Sequence, residues 1–363
     1  MLLAGSSQRS GLKKKISDLS KENQIHALDL HSKSIVINGM DPTHNHDFGD
    51  QYIEKLGKAG ITGENVTTAG LEVNFGEAIK GGGPLNEWNG VLLWHNLVES
   101  QAKLLHATSV QDIERAKEQG KIALIFGFQS AEPIEGNVDL LKVFHALGVR
   151  IVQLTYQRRN LVGDGAGERT NCGLSSFGVK VVECLNKLKM VVDLSHAGER
   201  TSMEAMEVSK EPVVFSHAGM RGVFDHTRNL SDVQVKALAE RGGVIGIVGY
   251  STFLSHQAAE KGASMEDYLD HVDYAVNLVG VDHVGIGLDS RPDTIIQEDV
   301  EASARAHPSL GVTAPMRYRY VIRSITDTVD ITKGLVARGY SDQEIEKILG
   351  LNFLRVFRRV WGN

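Results

Sequence analysis

Cysteine is scarce: Cys172 and Cys184 are the only two among 363 residues, and their spacing matches no metal or redox motif. A reducing cytoplasm fits such a pair best. Positive charge is not in excess either, with 39 Lys and Arg against 45 Asp and Glu and a net charge of −6. Without a basic footprint, nucleic acid is excluded as a partner; the isolated run Lys13-Lys14-Lys15 reads as a solvated turn. No apolar stretch approaches the length of a membrane span, and Met1-Leu2-Leu3-Ala4-Gly5-Ser6-Ser7 lacks the apolar core of a signal peptide. A cytoplasmic protein without a membrane partner is therefore expected. Low-complexity tracts and repeats of solenoid period are also missing, and no Gly-x-Gly-x-x-Gly follows the first strand-like segment, which weakens the case for a doubly wound nucleotide-binding sheet.

What is present is a regular alternation. Strand-like runs fall at residues 34–38, 64–69, 121–128, 149–156, 190–195, 212–216, 243–249 and 283–288. Helix-period stretches lie between them, at 52–59, 109–119, 138–147, 177–188 and 232–241. Ser231-Asp232-Val233-Gln234 and Ser341-Asp342-Gln343-Glu344 read as capping boxes. Eight strands in βα alternation predict an α/β chain folded as a (β/α)8 TIM barrel. The expected organisation is an N-terminal extension over 1–30 and one barrel domain over 31–363, with a helical extension from about residue 317. The segment 70–86, with Gly81-Gly82-Gly83 as a linker, is longer than a scaffold connection needs and suggests a lid or dimer contact.

Two short segments carry the chemistry. Val191-Val192-Asp193-Leu194-Ser195-His196 and Val213-Val214-Phe215-Ser216-His217 are apolar runs that each end in Ser-His. Consecutive parallel strands end on the same face, which in barrels is the mouth that holds the active site. A single histidine there is commonly structural; two at matched strand ends point to a divalent metal held by neutral imidazoles. Strand eight ends Val284-Gly285-Ile286-Gly287-Leu288-Asp289. An aspartate after a strand is usually a cap or turn residue, but on this rim it suits proton transfer or metal ligation. Arg228, in the loop Asp225-His226-Thr227-Arg228-Asn229, reads equally as a surface ion pair or as a fork gripping a carboxylate. His226 reads as loop packing.

From residue 177 to 229, with Val192-Asp193-Leu194-Ser195-His196, Phe215-Ser216-His217 and Asp225-His226-x-Arg228-Asn229, the chain closely resembles the membrane (renal) dipeptidase family of zinc metallopeptidases. Gly285-Ile286-Gly287-x-Asp289 and Leu349-Gly350-x-Asn352 extend the resemblance, which covers nearly everything from His31 onward. It implies a metallo-dependent hydrolase barrel, usually dimeric, with two zinc ions bridged by a carboxylate. His196 and His217 would then ligate the second metal, Asp289 would be the acid/base, and Arg228 would hold the substrate's terminal carboxylate.

Three positions depart from the family pattern. Gly-His-x-Asp after strand one is here Gly39-Met40-Asp41-Pro42, the bridging glutamate is Gln129, and a substrate-facing histidine is Tyr156. Met40 and Pro42 cannot replace hard ligands, and a neutral amide cannot offset the repulsion between two dications. One zinc ion per chain at most is expected, on His196 and His217. Tyr156 is then a candidate oxyanion donor that, with Gln129 and Arg228, faces the substrate. A displaced metal site on Asp41, His44, His46, Asp47 and Asp50 is conceivable, since His-x-His on an extended segment puts both rings on one side; a plain polar loop is the simpler account. The resulting expectation is a metal-dependent hydrolase that uses metal-activated water to cleave an amide bond in a dipeptide or similar carboxylated substrate, with weak action on ordinary dipeptides. The alternative is a catalytically degenerate relative that binds a ligand or serves in assembly.

Overall fold

A computed structural model describes residues 14–69, 84–257, 261–295, 301 and 319–362. Its strands are β1 (Ile37–Asp41), β2 (Gly63–Ala69), β3 (Leu104–His106), β4 (Ile122–Phe128), β5 (Val149–Gln153), β6 (Val191–Asp193), β7 (Val214–Ala218), β8 (Val244–Ile247) and β9 (Val284–Ile286). All pair in parallel, and β2–β4 and β1–β9 contacts close eight of them into the expected barrel. The eight are the segments anticipated from sequence. β3 is an addition: it pairs only with the first half of β4, while β5 takes the second half. Three residues are too few to show a period, so nothing in the sequence announced it.

Both predicted capping boxes are formed, at Ser231/Gln234 and Ser341/Glu344. The helices Asp50–Lys58, Val110–Gln119, Leu140–Ala146, Ser176–Lys187 and Asp232–Glu240 fall within a few residues of the periodic stretches. Helix Lys21–Lys33 crosses the boundary placed at residue 30. It buries Ala27, Leu30 and His31, and the His31 ring bridges Thr332 Oγ1 at 2.7 Å and the Ala59 carbonyl at 2.8 Å. The extension is therefore partly built into the barrel body. The anticipated insertion over 70–86, including its three glycines, lies outside the described residues as far as residue 83. Among the described residues no helix is long and apolar enough to cross a membrane.

The barrel floor explains why chemistry is confined to one end. Ile37, Val191, Val214 and Val244, each the first residue of its strand, and the mid-strand Ile125 and Ile151 pack with Phe353, Phe357 and Val360 of the C-terminal helix Asn352–Trp361. That helix plugs the N-terminal end. A Cβ on Gly285 would lie 2.7 Å from Phe353 Cε2, and one on Gly287 would strike the Ser216 carbonyl. The alternating glycines at 285, in β9, and at 287, just past it, are thus close-approach positions, and the polar strand ends are left at the opposite mouth.

Candidate active site

β6 and β7 deliver the two histidines to one point: His196 Nε2 and His217 Nε2 are 2.8 Å apart. Asp193, the last residue of β6, organises them. Its Oδ1 accepts from the amides of Ser195 and Ser216, and its Oδ2 accepts from Ser216 Oγ at 2.5 Å. With its only proton committed to Asp193, Ser216 Oγ must accept from His217 Nδ1 at 2.8 Å. The Nε2 lone pair of His217 is thereby directed into the site. Burial, and then the charge of Arg228, hold the His217 pKa well below the usual range, so the ring is neutral. His196 sits at a positive φ of 63°; its Nδ1 contacts Gln157 Nε2 at 2.6 Å, and the Tyr156 ring stacks on it with centroids 4.1 Å apart.

This pair fits a metal ion. Two tetrahedral zinc ligands at ~2.0–2.1 Å stand roughly 3.3 Å apart, so the rings need to separate only slightly from their direct N–H···N contact. Ligation also requires the one N–H of His196 to move from Nε2, where it is shared with His217, to Nδ1. Gln157 suits either tautomer, because its buried Oε1 has no partner and a turned amide would accept from Nδ1–H. No cluster of three or more His, Cys, Asp or Glu able to hold a metal occurs among the described residues, so His196 and His217 would be the protein ligands of a sparsely held ion.

Asp289 closes the same rim, where its amide donates to the Met40 carbonyl at 3.0 Å and its φ is 47°. Burial lifts its carboxyl to about 7, against the opposing charges of Arg228 and Arg319. Arg228 is buried, not a surface ion pair: its Nη2 donates to the His217 carbonyl at 3.4 Å and its guanidinium lies 5.4 Å from the Phe253 centroid. Burial lowers its pKa to about 10, so it stays charged at neutral pH. His226 accepts from the Arg228 amide and packs near Phe253, as expected of a loop residue. A cavity of about 170 Å³ opens beside the pair, lined by His196 and Arg228 together with Glu199, Arg221 and Asn229.

The first-strand positions look different. Met40 is buried, with Thr67 Oγ1 3.4 Å from its sulfur. Gln129 is buried just past β4, where its carbonyl accepts from Gln153 Nε2. Asp41 is tied to Tyr52 Oη at 2.9 Å and to the Thr43 amide at 2.8 Å. The His44 and His46 rings stack in parallel with centroids 5.3 Å apart instead of converging, and the His46 side chain is 73% exposed. This is the polar-loop geometry, not a displaced metal site.

Glu64 on β2, opposite Asn38, was not singled out by sequence, since one glutamate in a strand carries no signal. It is fully buried and forms no ion pair with a described residue; the Asn38 side chain is the one group beside it that favours the ionised form, and its geometry is too poor to satisfy either carboxylate oxygen. Burial first, then Asp41, raise its pKa well above the usual range. Folding thus favours its protonated form: the stabilisation is complete below the ordinary carboxylate pKa and is lost as pH rises toward the raised one. Glu64→Gln is expected to raise stability at pH 8 by about 1–3 kcal/mol, with the gain shrinking toward pH 4.5. Thermal melts across that range decide it; a gain independent of pH would show that ionisation is not the cause.

Comparison with known proteins follows the same lines. Residues 88–304 match the family model described as membrane dipeptidase (peptidase family M19). The dipeptidase tcpJ of Claviceps purpurea is 29% identical over 294 residues, covering 80% of this chain and 63% of that protein. This chain spans less than two thirds of the length of this and other curated dipeptidases it matches. Among solved structures, an amidohydrolase from Pseudomonas aeruginosa superposes with a TM-score of 0.81 at 31% identity, over 93% of this chain and 99% of that one. A structure described as dipeptidase AC, a metallopeptidase of family M19, shares the fold at a TM-score of 0.75 and 21% identity, over 91% of this chain and 100% of that one.

Proposed function

From the chain's membership of the membrane dipeptidase family, peptidase family M19, we propose that it is a metal-dependent hydrolase cleaving the amide bond of a dipeptide or dipeptide-like carboxylated compound. The observation that carries this reading is the His196–His217 pair, with His217 oriented by Asp193 through Ser216, on one rim with Asp289 and Arg228. One zinc ion per chain, held by the two imidazoles, is the expected complement. When bound, it supplies Lewis acidity that makes water nucleophilic near neutral pH.

The protein's own groups do the rest. Arg228 grips the substrate's terminal carboxylate and sets the scissile carbonyl against the rim. Asp289, poised near neutrality, takes the proton from the attacking water and returns it to the leaving nitrogen. Tyr156, held flat on His196, offers its phenol to the developing oxyanion; Gln129 lines the substrate side. The alternative of a degenerate assembly protein lacks support, because a scaffold gains nothing from two buried imidazoles meeting beside a tuned carboxyl.

Metal analysis and dipeptide assays test the reading together. About one metal per chain is expected, with slow hydrolysis of ordinary dipeptides, since Met40 and Gln129 do not build a second metal position. No metal and no hydrolysis of any dipeptide would sink it. Arg228→Ala is expected to weaken binding of a carboxylated ligand by about 2–5 kcal/mol, the range for truncating a buried charge contact; a far smaller loss would put the carboxylate elsewhere. The reading extends to a homodimer, measurable by sedimentation velocity, and to a reducing cytoplasmic setting, which suits the free thiols Cys172 and Cys184.

A further inference from the structure

Buried guanidiniums in this protein fall into two kinds. Arg338, with only 4% of its side chain exposed, is matched by Asp270 at 2.8 Å and Asp273 at 2.5 Å. Such pairing is what a structural buried charge requires. Arg319 is equally buried, yet its Nε and Nη1 have no hydrogen-bond partner and it forms no ion pair with a described residue. Arg228 likewise forms no ion pair with a described residue; since the Nε of Arg228 and that of Arg338 are both unpartnered, the carboxylate partners are what separate the two kinds.

Arg228 and Arg319 sit against one pair of aromatic rings. Arg319 is 4.8 Å from the Tyr250 centroid and Arg228 5.4 Å from that of Phe253, and those rings stack with centroids 4.8 Å apart. Both guanidiniums act electrostatically on Asp289. Arg319 is also held in place. Its carbonyl accepts from the Ser251 amide at 2.8 Å, and Val321 N donates to the Gly249 carbonyl at 3.0 Å. The backbone around it is thus stitched to the chain leaving β8, at the mouth of the barrel.

Asp289 and Asp193 act on Arg228, and Asp41 and Arg291 join Asp289 at the same mouth, but only from beyond ion-pair distance of Arg228 and Arg319. Two fixed, desolvated cations thus keep free N–H groups, with no carboxylate of a described residue paired to either. We propose that Arg319 is a second anion-binding residue, and that the natural ligand carries two carboxylates, one for Arg228 and one for Arg319. Resting on the dipeptidase reading above, the inference narrows the substrate class to dipeptides, or N-acyl amino acids, whose C-terminal residue is acidic. The chemistry is that of bidentate guanidinium–carboxylate recognition, sharpened by the aromatic faces that keep water from the cations.

The test separates binding from turnover. Glutarate and its near-isosteric half-amide glutaramate are titrated calorimetrically into the intact protein, and Ala-Glu and Ala-Gln are compared as substrates. Glutarate is expected to bind about tenfold or more tighter than glutaramate, the scale of one charged hydrogen-bonded contact. Arg319→Gln should bring that ratio to within about twofold, while Arg319→Lys, which keeps the charge, retains part of it. Equal binding of the two probes by the parent protein would overturn the proposal, as would a preference that survives in a folded Arg319→Gln variant. The parental ratio decides the matter if that variant does not fold. Preference for glutarate without hydrolysis of any dipeptide would refute the dipeptidase reading and leave the second anion site standing. Hydrolysis of Ala-Glu and Ala-Gln at equal kcat/KM, with equal probe binding, would refute the second site alone.

Discussion

Asp289→Asn is expected to lower kcat/KM for any hydrolysed substrate by about 10²–10⁴-fold, the usual contribution of a positioned acid/base. Asparagine keeps the shape and the amide contact to Met40 but cannot carry the proton. The pH dependence follows from the direction of the shift: burial raises Asp289 to about 7, and the ionised form is the one that accepts a proton. kcat/KM should therefore climb as pH rises through about 7, and that acidic limb should vanish in Asp289→Asn. Because the Arg228 charge opposes the rise, Arg228→Ala should move the limb to higher pH. The same shift makes Asp289 a stability element of defined sign. Its contribution is complete below the ordinary carboxylate pKa and is lost as pH rises through about 7. An Asp289→Asn variant that retains parental turnover would assign the proton transfer to another group.

His217→Ala should abolish stoichiometric metal uptake, because it removes one of the two imidazoles that meet at 2.8 Å. Ser216→Ala makes the finer test. It leaves both rings in place but removes the oxygen that accepts from His217 Nδ1 and links it to Asp193. Losing such an orienting partner costs about 10–100-fold in metal affinity, measurable by competition with a chelator. In the metal-free protein, nitrogen shifts of the His217 ring should report a proton on Nδ1 in the parent and a mixture of tautomers in Ser216→Ala. Unchanged affinity together with an unchanged tautomer would show that the ring is oriented by packing alone.

Much of this architecture was legible in the chain. Strand-final histidines at 196 and 217, an aspartate at 289 and glycines at 285 and 287 are local patterns, and parallel-strand geometry converts them into positions on a single rim. The capping boxes at Ser231 and Ser341 are equally local, since a cap needs only residues three apart. The departures at Met40, Pro42 and Gln129 were also visible from residue type alone, because no fold turns a thioether or an amide into a bridging carboxylate.

Other features exist only once the barrel closes. Asp193 and Ser216 belong to different strands, so their bond, and with it the tautomer of His217, depends on register between β6 and β7. Gln157 reaches His196 across 39 residues of chain. Sequence could not tell whether Arg228 was a surface charge or a buried one; the answer came from the packing of Phe253 beneath it. Arg319 and Glu64 carried no motif at all. What makes each informative is burial without an ion-pair partner among the described residues, a property set by every neighbour in space and by none in the chain. The sequence by itself determined the barrel, its active rim and the chemistry of the residues on it. Only the tertiary structure decided which of those charges are compensated, because desolvation and pairing depend on distances between segments far apart in sequence.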